Sequence, residues 1–155
     1  MPPVSAVVEA ANRLATKDES SLEVLVGMID TELSKDPSLK EQAYLEPKYS
    51  SDELMGGRLD ELRAIGRKIL KRWNKELHGL VCAQQGSDQK DREAILGALS
   101  LNQAAVIAAV ATALLGLGVP APIAAALAPL ITKKFIWPAK DELCEAWADA
   151  LERDN

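Results

Sequence analysis

Histidine is nearly missing from this chain, since His78 is the only one among 155 residues. A metal site built from several histidines, or a metalloprotease helix with two of them, is therefore excluded. Cys82 follows His78 by one helical turn, but no third residue is placed to orient such a pair for nucleophilic catalysis. Glu-x-x-His motifs and a Gly-x-x-x-x-Gly-Lys loop are also missing. We therefore expect no catalytic residue, no metal site and no cofactor.

Cysteine is scarce as well, with Cys82 and Cys144 far apart and outside any Cys-x-x-Cys motif. This usage predicts two reduced, partly buried thiols in a cytoplasmic protein, with a disulfide or redox pair as the alternative. Residues 1–4 contain no basic group leading into an apolar run, so the sequence predicts no secretory signal.

Residues that favour β-strands are few, and only 4% of the chain is aromatic. Alanine, leucine, glutamate, lysine and arginine dominate, and no run alternates between apolar and polar side chains, which favours helix over sheet. We predict an all-α fold: a compact bundle of about six to seven helices around a central alanine-rich helical hairpin. Residues 1–155 are expected to form one domain. A loop at residues 45–51 is the best place for a subdivision into a helical front (1–45) and a core bundle (52–153).

Charge is missing altogether from Ala94 to Thr132. The motif Gly-Leu-Gly-Val-Pro-Ala-Pro at 116–122 interrupts this stretch with two glycines and two prolines, which are typical of a helix end and a helix start. We therefore predict one helix that begins near Asp88 and ends near Leu117, and a second that begins near Ala121. Such a short connection makes the two helices neighbours.

Small residues spaced by four suggest how the hairpin packs. Ala104, Ala108, Thr112 and Gly116 form such a row, which would let another helix backbone approach closely. Pro129 should kink or end the second arm, because proline removes a backbone hydrogen bond. That arm spans roughly 18 Å, whereas a bilayer core is about 30 Å thick, so burial by protein is favoured over insertion into lipid.

Capping motifs predict where three other helices begin. Ser20 with Glu23 fits a capping box at the start of the second helix. Asp36 and Pro37 fit the cap and first turn of a short helix that follows it. Pro138 is expected in the first turn of the last helix.

The candidate site residues lie on the longest predicted helix, residues 52–84, and just after the hairpin. The basic face of the long helix is typical of docking on an anionic membrane or an acidic protein, and its members are Arg63, Arg67, Lys68, Lys71, Arg72 and Lys75. The alternative is a solvated outer face, either unpaired or paired with the acidic face of the last helix. Cations and aromatics after the hairpin form a candidate interfacial anchor, composed of Lys133, Lys134, Phe135 and Trp137.

These features together predict a non-enzymatic interaction or adaptor module that binds another protein, or a second copy of itself, through the apolar hairpin region. The alternative is a membrane-active effector whose hairpin, residues 94–132, inserts into lipid after the basic helix meets an anionic surface. A small enzyme comes third. Nucleic acid is not expected as a partner, because the net charge is -5 and the basic face lacks interleaved aromatics. We expect a cytoplasmic location, or in the alternative a location on or in a membrane.

Overall fold

Seven α-helices form the part of the chain that the structure, a computed structural model, describes: residues 3–45, 58–82 and 89–153. In chain order they are α1 (Val4–Leu14), α2 (Glu19–Lys35), α3 (Leu59–Cys82), α4 (Gln89–Leu99), α5 (Gln103–Gly116), α6 (Ala121–Ile131) and α7 (Leu143–Arg153). Short 3-10 helices at Pro37–Glu41 and Lys140–Glu142 and a π-helical turn at Thr132–Ile136 lie between them. The predicted all-α fold is confirmed. The predicted loop at 46–51 and the predicted flanks of the long helix, 52–57 and 83–84, lie outside the described residues.

Helix α6 is the centre of the fold, because each of its residues from Ala121 to Ile131 is buried. It packs against α1, α2, α5 and the π-helical turn. The turn into α6 is built as the sequence predicts: α5 ends at Gly116, and Gly118 has a φ of 96°, which favours glycine. The amide of Val119 closes the turn by donating to the carbonyl of Leu114 at 3.1 Å. The alanine-rich hairpin is thus the core of the bundle.

The predicted row of small residues on α5 is not buried against another helix. Ala104, Thr112 and Gly116 are exposed, and Ala108 is only half-buried. The buried face of α5 instead consists mainly of larger aliphatic side chains: Val106, Ile107, Val110, Ala111, Ala113 and Leu114. Burial stabilises by about 25 cal/mol per Å² of apolar area. The larger side chains therefore decide which face of α5 packs against the core.

The predicted continuous helix from residue 88 to 117 is also wrong, because it is interrupted between α4 and α5. The hydroxyl of Ser100 donates to the carbonyl of Gly97 at 2.7 Å. Asn102 caps α5, since its Oδ1 accepts the amide of Ala105 at 2.8 Å. Short polar side chains that bond to the nearby backbone compete with the helical pattern. Leu101, between them, is 73% exposed.

One expectation for the end of the chain is corrected. Helix α6 ends at Ile131, two residues after Pro129, and passes into the π-helical turn. Pro138 does not begin the last helix, which starts at Leu143. The intervening residues form turns closed by backbone bonds such as that from the amide of Ala139 to the carbonyl of Ile136 at 3.1 Å.

Helices α2 and α3 meet through two glycines. A Cβ placed on Gly27 would overlap the carbonyl oxygen of Leu62, and one placed on Gly66 would overlap that of Glu23. The two backbones are therefore in direct contact. Beside this crossing the Glu23 side chain is buried, and its Oε2 accepts a hydrogen bond from Nε of Arg67 at 2.5 Å. The pair joins α2 to the basic face of α3.

The predicted capping box at Ser20 and Glu23 is wrong, because the cap lies two residues earlier and Glu23 pairs with Arg67 of α3. Asp18 caps α2 instead: its Oδ1 accepts the backbone amide of Ser21 at 2.7 Å. This backbone hydrogen bond favours the charged carboxylate and holds the pKa of Asp18 below its usual value of 3.8. The predicted Asp36 cap is confirmed, since its Oδ1 accepts the amide of Ser38 at 3.2 Å.

We expect Asp18→Ala to lower the free energy of unfolding at neutral pH and the difference from wild type to vanish in acid. Because the folded-state pKa is lowered, the stabilisation is complete above the unfolded-state value of 3.8 and is lost as the pH falls through the folded-state value. Urea unfolding followed by circular dichroism at about pH 7 and about pH 3 measures this. Asp30→Ala, further along α2, is the control. If Asp18→Ala lowers the free energy of unfolding by the same amount at both pH values, the charged carboxylate of Asp18 does not stabilise the start of α2.

Cys82 and Cys144 form a disulfide, so the prediction of two reduced thiols is wrong. Cys82 is the last residue of α3 and Cys144 the second residue of α7, and their Cα atoms lie 5.6 Å apart. The two residues are separated by 62 positions in the chain, so only the packing of α7 on α3 brings them together.

Candidate anion-binding cleft

Helix α3, the π-helical turn and α7 surround an open cleft of about 780 Å³. The three elements belong to one packed unit, because α7 contacts both α3 and the turn. A volume of this size is typical of sites that receive a small molecule or a short segment of a partner. We refer to it as the basic cleft.

Cations dominate the described lining of the basic cleft. Helix α3 contributes Arg67, Lys68, Lys71 and Lys75, the turn contributes Lys134, and α7 contributes Arg153. Arg67, Lys71 and Lys75 share a face because they are spaced by four residues, and Lys68 lies beside them, three residues before Lys71. A single carboxylate, that of Glu152, lies among them. The cleft is therefore a positive site on a chain whose net charge is -5.

Among the described residues, most of these cations form no ion pair. In the part of the chain that the structure describes, Arg67 is the cleft cation that forms an ion pair, with Glu23. Lys68, Lys71 and Lys75 form none there, so the predicted pairing of this face with the acidic face of the last helix is not present. Like charges that share a concave site produce a strong local potential, which attracts anions.

At the base of the cleft, a buried hydrogen bond joins α7 to α3. Asn74 is 1% exposed, and its Oδ1 accepts the indole N–H of the fully buried Trp147 at 2.8 Å. The ring of His78 stands edge-on to Trp147, with centroids 5.1 Å apart, and its Nε2 lies 3.3 Å from the carbonyl oxygen of Cys144. Buried polar groups are costly unless they are hydrogen-bonded, so the bond between Asn74 and Trp147 fixes α7 on α3.

The structure divides the predicted basic face in two. Arg67, Lys68, Lys71 and Lys75 line the cleft, whereas Arg63 and Arg72 do not. Arg63 pairs with Asp60 on its own helix, with 3.6 Å between nitrogen and oxygen. The guanidinium of Arg72 lies over the ring of Trp73, 4.6 Å from its centroid.

The four residues of the predicted anchor after the hairpin do not form one surface: two line the cleft and two make other contacts. Lys134 and Phe135 line the cleft, but Phe135 is buried and is not available as a surface anchor. Lys133 donates a hydrogen bond to the backbone carbonyl of Lys17 at 2.7 Å. The ring of Trp137 lies beneath the ammonium group of Lys140, at 4.5 Å.

Asn74, Glu152 and Arg153 are cleft residues that sequence reasoning missed. Asn74 sits on the same face of α3 as Lys71 and Lys75, so helical spacing could have indicated it. Arg153 appeared to be part of an ordinary solvated chain end. The alternative of a disulfide between Cys82 and Cys144 was the signal in the sequence that α7 packs on α3.

The chemistry that the cleft offers is binding of negative charge. Within residues 3–45, 58–82 and 89–153, no group of histidine, cysteine, aspartate and glutamate is arranged to hold a metal ion. Cys82 is in a disulfide and is therefore not a nucleophile for His78 to activate. Comparison of the chain with protein-family models, with curated proteins and with solved structures finds no match.

Proposed function

We propose that this protein is a non-enzymatic interaction module that binds an acidic segment of another protein in the basic cleft. The observation that carries the proposal is the convergence of cations from α3, the π-helical turn and α7 on one concave site. Complementary charge steers association and selects partners. Successive side chains of an extended segment alternate, so an acidic segment places a carboxylate on one side about every 6.6 Å, and several can face the cations of one cleft.

The shape and lining of the cleft favour a protein segment over a membrane. A bilayer is flat, and helices that dock on it add protruding apolar side chains to their cations. The large apolar side chains that are exposed among the described residues are Val4, Leu96 and Leu101, and none of them lines the cleft. Nucleic acid is disfavoured as well, because Phe135, the one phenylalanine, tyrosine or tryptophan in the described lining, is only 4% exposed and cannot stack on a base.

The apolar hairpin is a poorer surface for binding than the cleft. Helix α6 has no exposed residue, so the large exposed apolar side chains of this region are confined to Leu96 on α4 and Leu101 between α4 and α5. Binding or self-association through this region stays a prediction. Insertion of residues 94–132 into lipid also stays a prediction, and none of the described helices has both the length and the apolar character needed to cross a membrane. Disulfides persist mainly in oxidising compartments, which does not favour the predicted cytoplasmic location.

We expect the combined substitution Lys68→Gln, Lys71→Gln and Lys75→Gln to weaken binding of a fluorescein-labelled poly-glutamate peptide about tenfold. Each ion pair in a partly exposed site contributes roughly 0.5 kcal/mol, and a loss of about 1.4 kcal/mol corresponds to that factor. Fluorescence anisotropy measures the dissociation constant. We expect it to rise with salt for the wild type and less steeply for the variant, because salt screens the ion pairs.

The matched control is Lys35→Gln, Lys40→Gln and Lys90→Gln, which removes the same charge from exposed positions outside the cleft. We expect near wild-type affinity for this variant. An equal loss in the two triple variants would show that net charge, not the cleft, governs binding. Flotation with anionic vesicles tests the membrane alternative. A wild-type protein that binds vesicles but no acidic peptide would contradict the proposal.

A further inference from the structure

We propose that the acidic segment bound in the basic cleft carries a phosphorylated residue, and that its phosphate group is held between α3, the π-helical turn and α7. This inference rests on the proposed function, because it names the group that the partner places in the cleft. A phosphate monoester at neutral pH has a charge of about -1.5 to -2 and three acceptor oxygens in a tetrahedral arrangement. The distribution of donors in the cleft suits this group better than it suits a carboxylate.

The cations reach the cleft from separate parts of the fold. Lys71 and Lys75 lie one turn apart on α3, Lys134 comes from the π-helical turn, and Arg153 comes from the last turn of α7. A carboxylate has two oxygens in one plane, and cations on one side are enough to satisfy it. A tetrahedral group can accept hydrogen bonds from several directions at once. Donors that converge from three elements therefore favour a phosphate.

Asn74 adds a neutral donor at the base of the same cleft. Its Oδ1 is occupied by the indole N–H of Trp147, so its amide nitrogen is the end of the carboxamide that is left to donate. Among the described residues that nitrogen has no hydrogen-bond acceptor, although Asn74 lines the cleft and is 1% exposed. A phosphate oxygen at the base of the cleft would accept its hydrogen bond.

The charge in the cleft is also more than one carboxylate can balance. Arg67 is already neutralised by Glu23, but Lys68, Lys71, Lys75 and Lys134 remain, together with Arg153. Glu152 offsets only one of these charges. A phosphorylated residue flanked by carboxylates brings enough negative charge into a volume of about 780 Å³ to balance them.

The test uses three labelled peptides that differ only at a central residue, which is serine, phosphoserine or glutamate, with glutamates on both sides. We expect the phosphoserine peptide to bind about tenfold more tightly than the glutamate peptide, and the serine peptide to bind most weakly. Fluorescence anisotropy at one fixed salt concentration gives the three dissociation constants. Inorganic phosphate should displace the phosphoserine peptide at a lower concentration than acetate does.

Asn74→Asp removes the neutral donor at the base of the cleft and adds a negative charge there, and both changes disfavour a phosphate more than a carboxylate. Aspartate can still accept the indole N–H of Trp147, but it replaces the donating amide nitrogen with a carboxylate oxygen. We expect the tenfold preference for phosphoserine over glutamate to be lost in this variant. Arg153→Gln, at the exposed end of α7, is the second variant and should reduce the preference about threefold without affecting the fold.

Equal affinity of the wild type for the phosphoserine and glutamate peptides would overturn the phosphate assignment and leave the binding of acidic segments intact. Failure of all three peptides to bind would overturn the proposed function as well. Binding to vesicles that contain phosphorylated lipids, without binding to any peptide, would also overturn the proposal and assign the phosphate to a lipid head group. An unchanged phosphoserine preference in both variants would remove Asn74 and Arg153 from the site.

Discussion

Gly66→Ala is expected to lower the free energy of unfolding by about 3 kcal/mol, the upper end of what overpacking usually costs. The added methyl group would overlap the carbonyl oxygen of Glu23 on α2. A backbone oxygen cannot move aside as the end of a flexible side chain can, so α2 and α3 must separate. Their separation would also stretch the hydrogen bond between Glu23 and Arg67.

Gly79→Ala is the matched control, because Gly79 lies on the same helix and a Cβ there meets no atom within 4 Å. Alanine at this position should stabilise the protein by about 0.5–1 kcal/mol, since it lowers the conformational entropy of the unfolded chain. Guanidinium unfolding followed by circular dichroism measures the two variants. We expect the free energy of unfolding to fall in Gly66→Ala and to rise in Gly79→Ala. A Gly66→Ala variant as stable as wild type would show that the helices do not touch at this point.

Gly27→Ala should resemble Gly66→Ala, because the two glycines make the same close contact from opposite helices. The double variant is expected to lose less stability than the two single variants added together. Once one methyl group has separated the helices, the second finds space, and neighbouring sites of this kind are not additive. Additive losses would mean that the two glycines act in separate contacts.

Replacing both cysteines, Cys82→Ser with Cys144→Ser, is expected to lower the free energy of unfolding by about 4 kcal/mol. The disulfide joins residues separated by 62 positions, and a cross-link over a loop of this length removes much of the entropy of the unfolded chain. Helix α7 should be the part most affected, because Leu143 and Trp147 are its two buried residues. Its loosening would also weaken peptide binding, since α7 forms one side of the basic cleft.

Unfolding of three samples measures this effect: the oxidised wild type, the wild type with a dithiol reductant, and the double serine variant. We expect the second and third to be equally destabilised, and the serine variant to be unaffected by the reductant. Thiol titration in denaturant should find no free thiol in protein purified without reductant. Two free thiols in that titration, or an oxidised wild type no more stable than the serine variant, would contradict the disulfide.

Features that depend on neighbours in the sequence were predicted well. The glycine-proline turn at 116–122 and the Asp36 cap each follow from residues within a few positions of one another. The basic face of α3 belongs to the same class, because residues three and four apart on a helix share a face. These signals were enough to predict an all-α bundle with the hairpin at its centre.

Local signals failed where two of them competed. Asp18 and Ser20 both fit an N-cap, and α2 begins after Asp18 because Glu23 is drawn into the contact with Arg67. Alanine rows on α5 suggested a close helix contact, but the larger side chains on the other face were buried instead. In each case a contact with a distant part of the chain decided between two locally acceptable arrangements.

The sequence by itself determined the helices, the turn at the centre and the presence of a cationic face. Only the tertiary structure decided that Gly27 and Gly66 touch opposing backbones, that Cys82 bonds to Cys144, and that Arg153 faces the same cleft as α3. The physical reason is that helix formation depends on hydrogen bonds over four residues. A cleft depends on how whole helices pack, and that is set by side chains that are far apart in the chain.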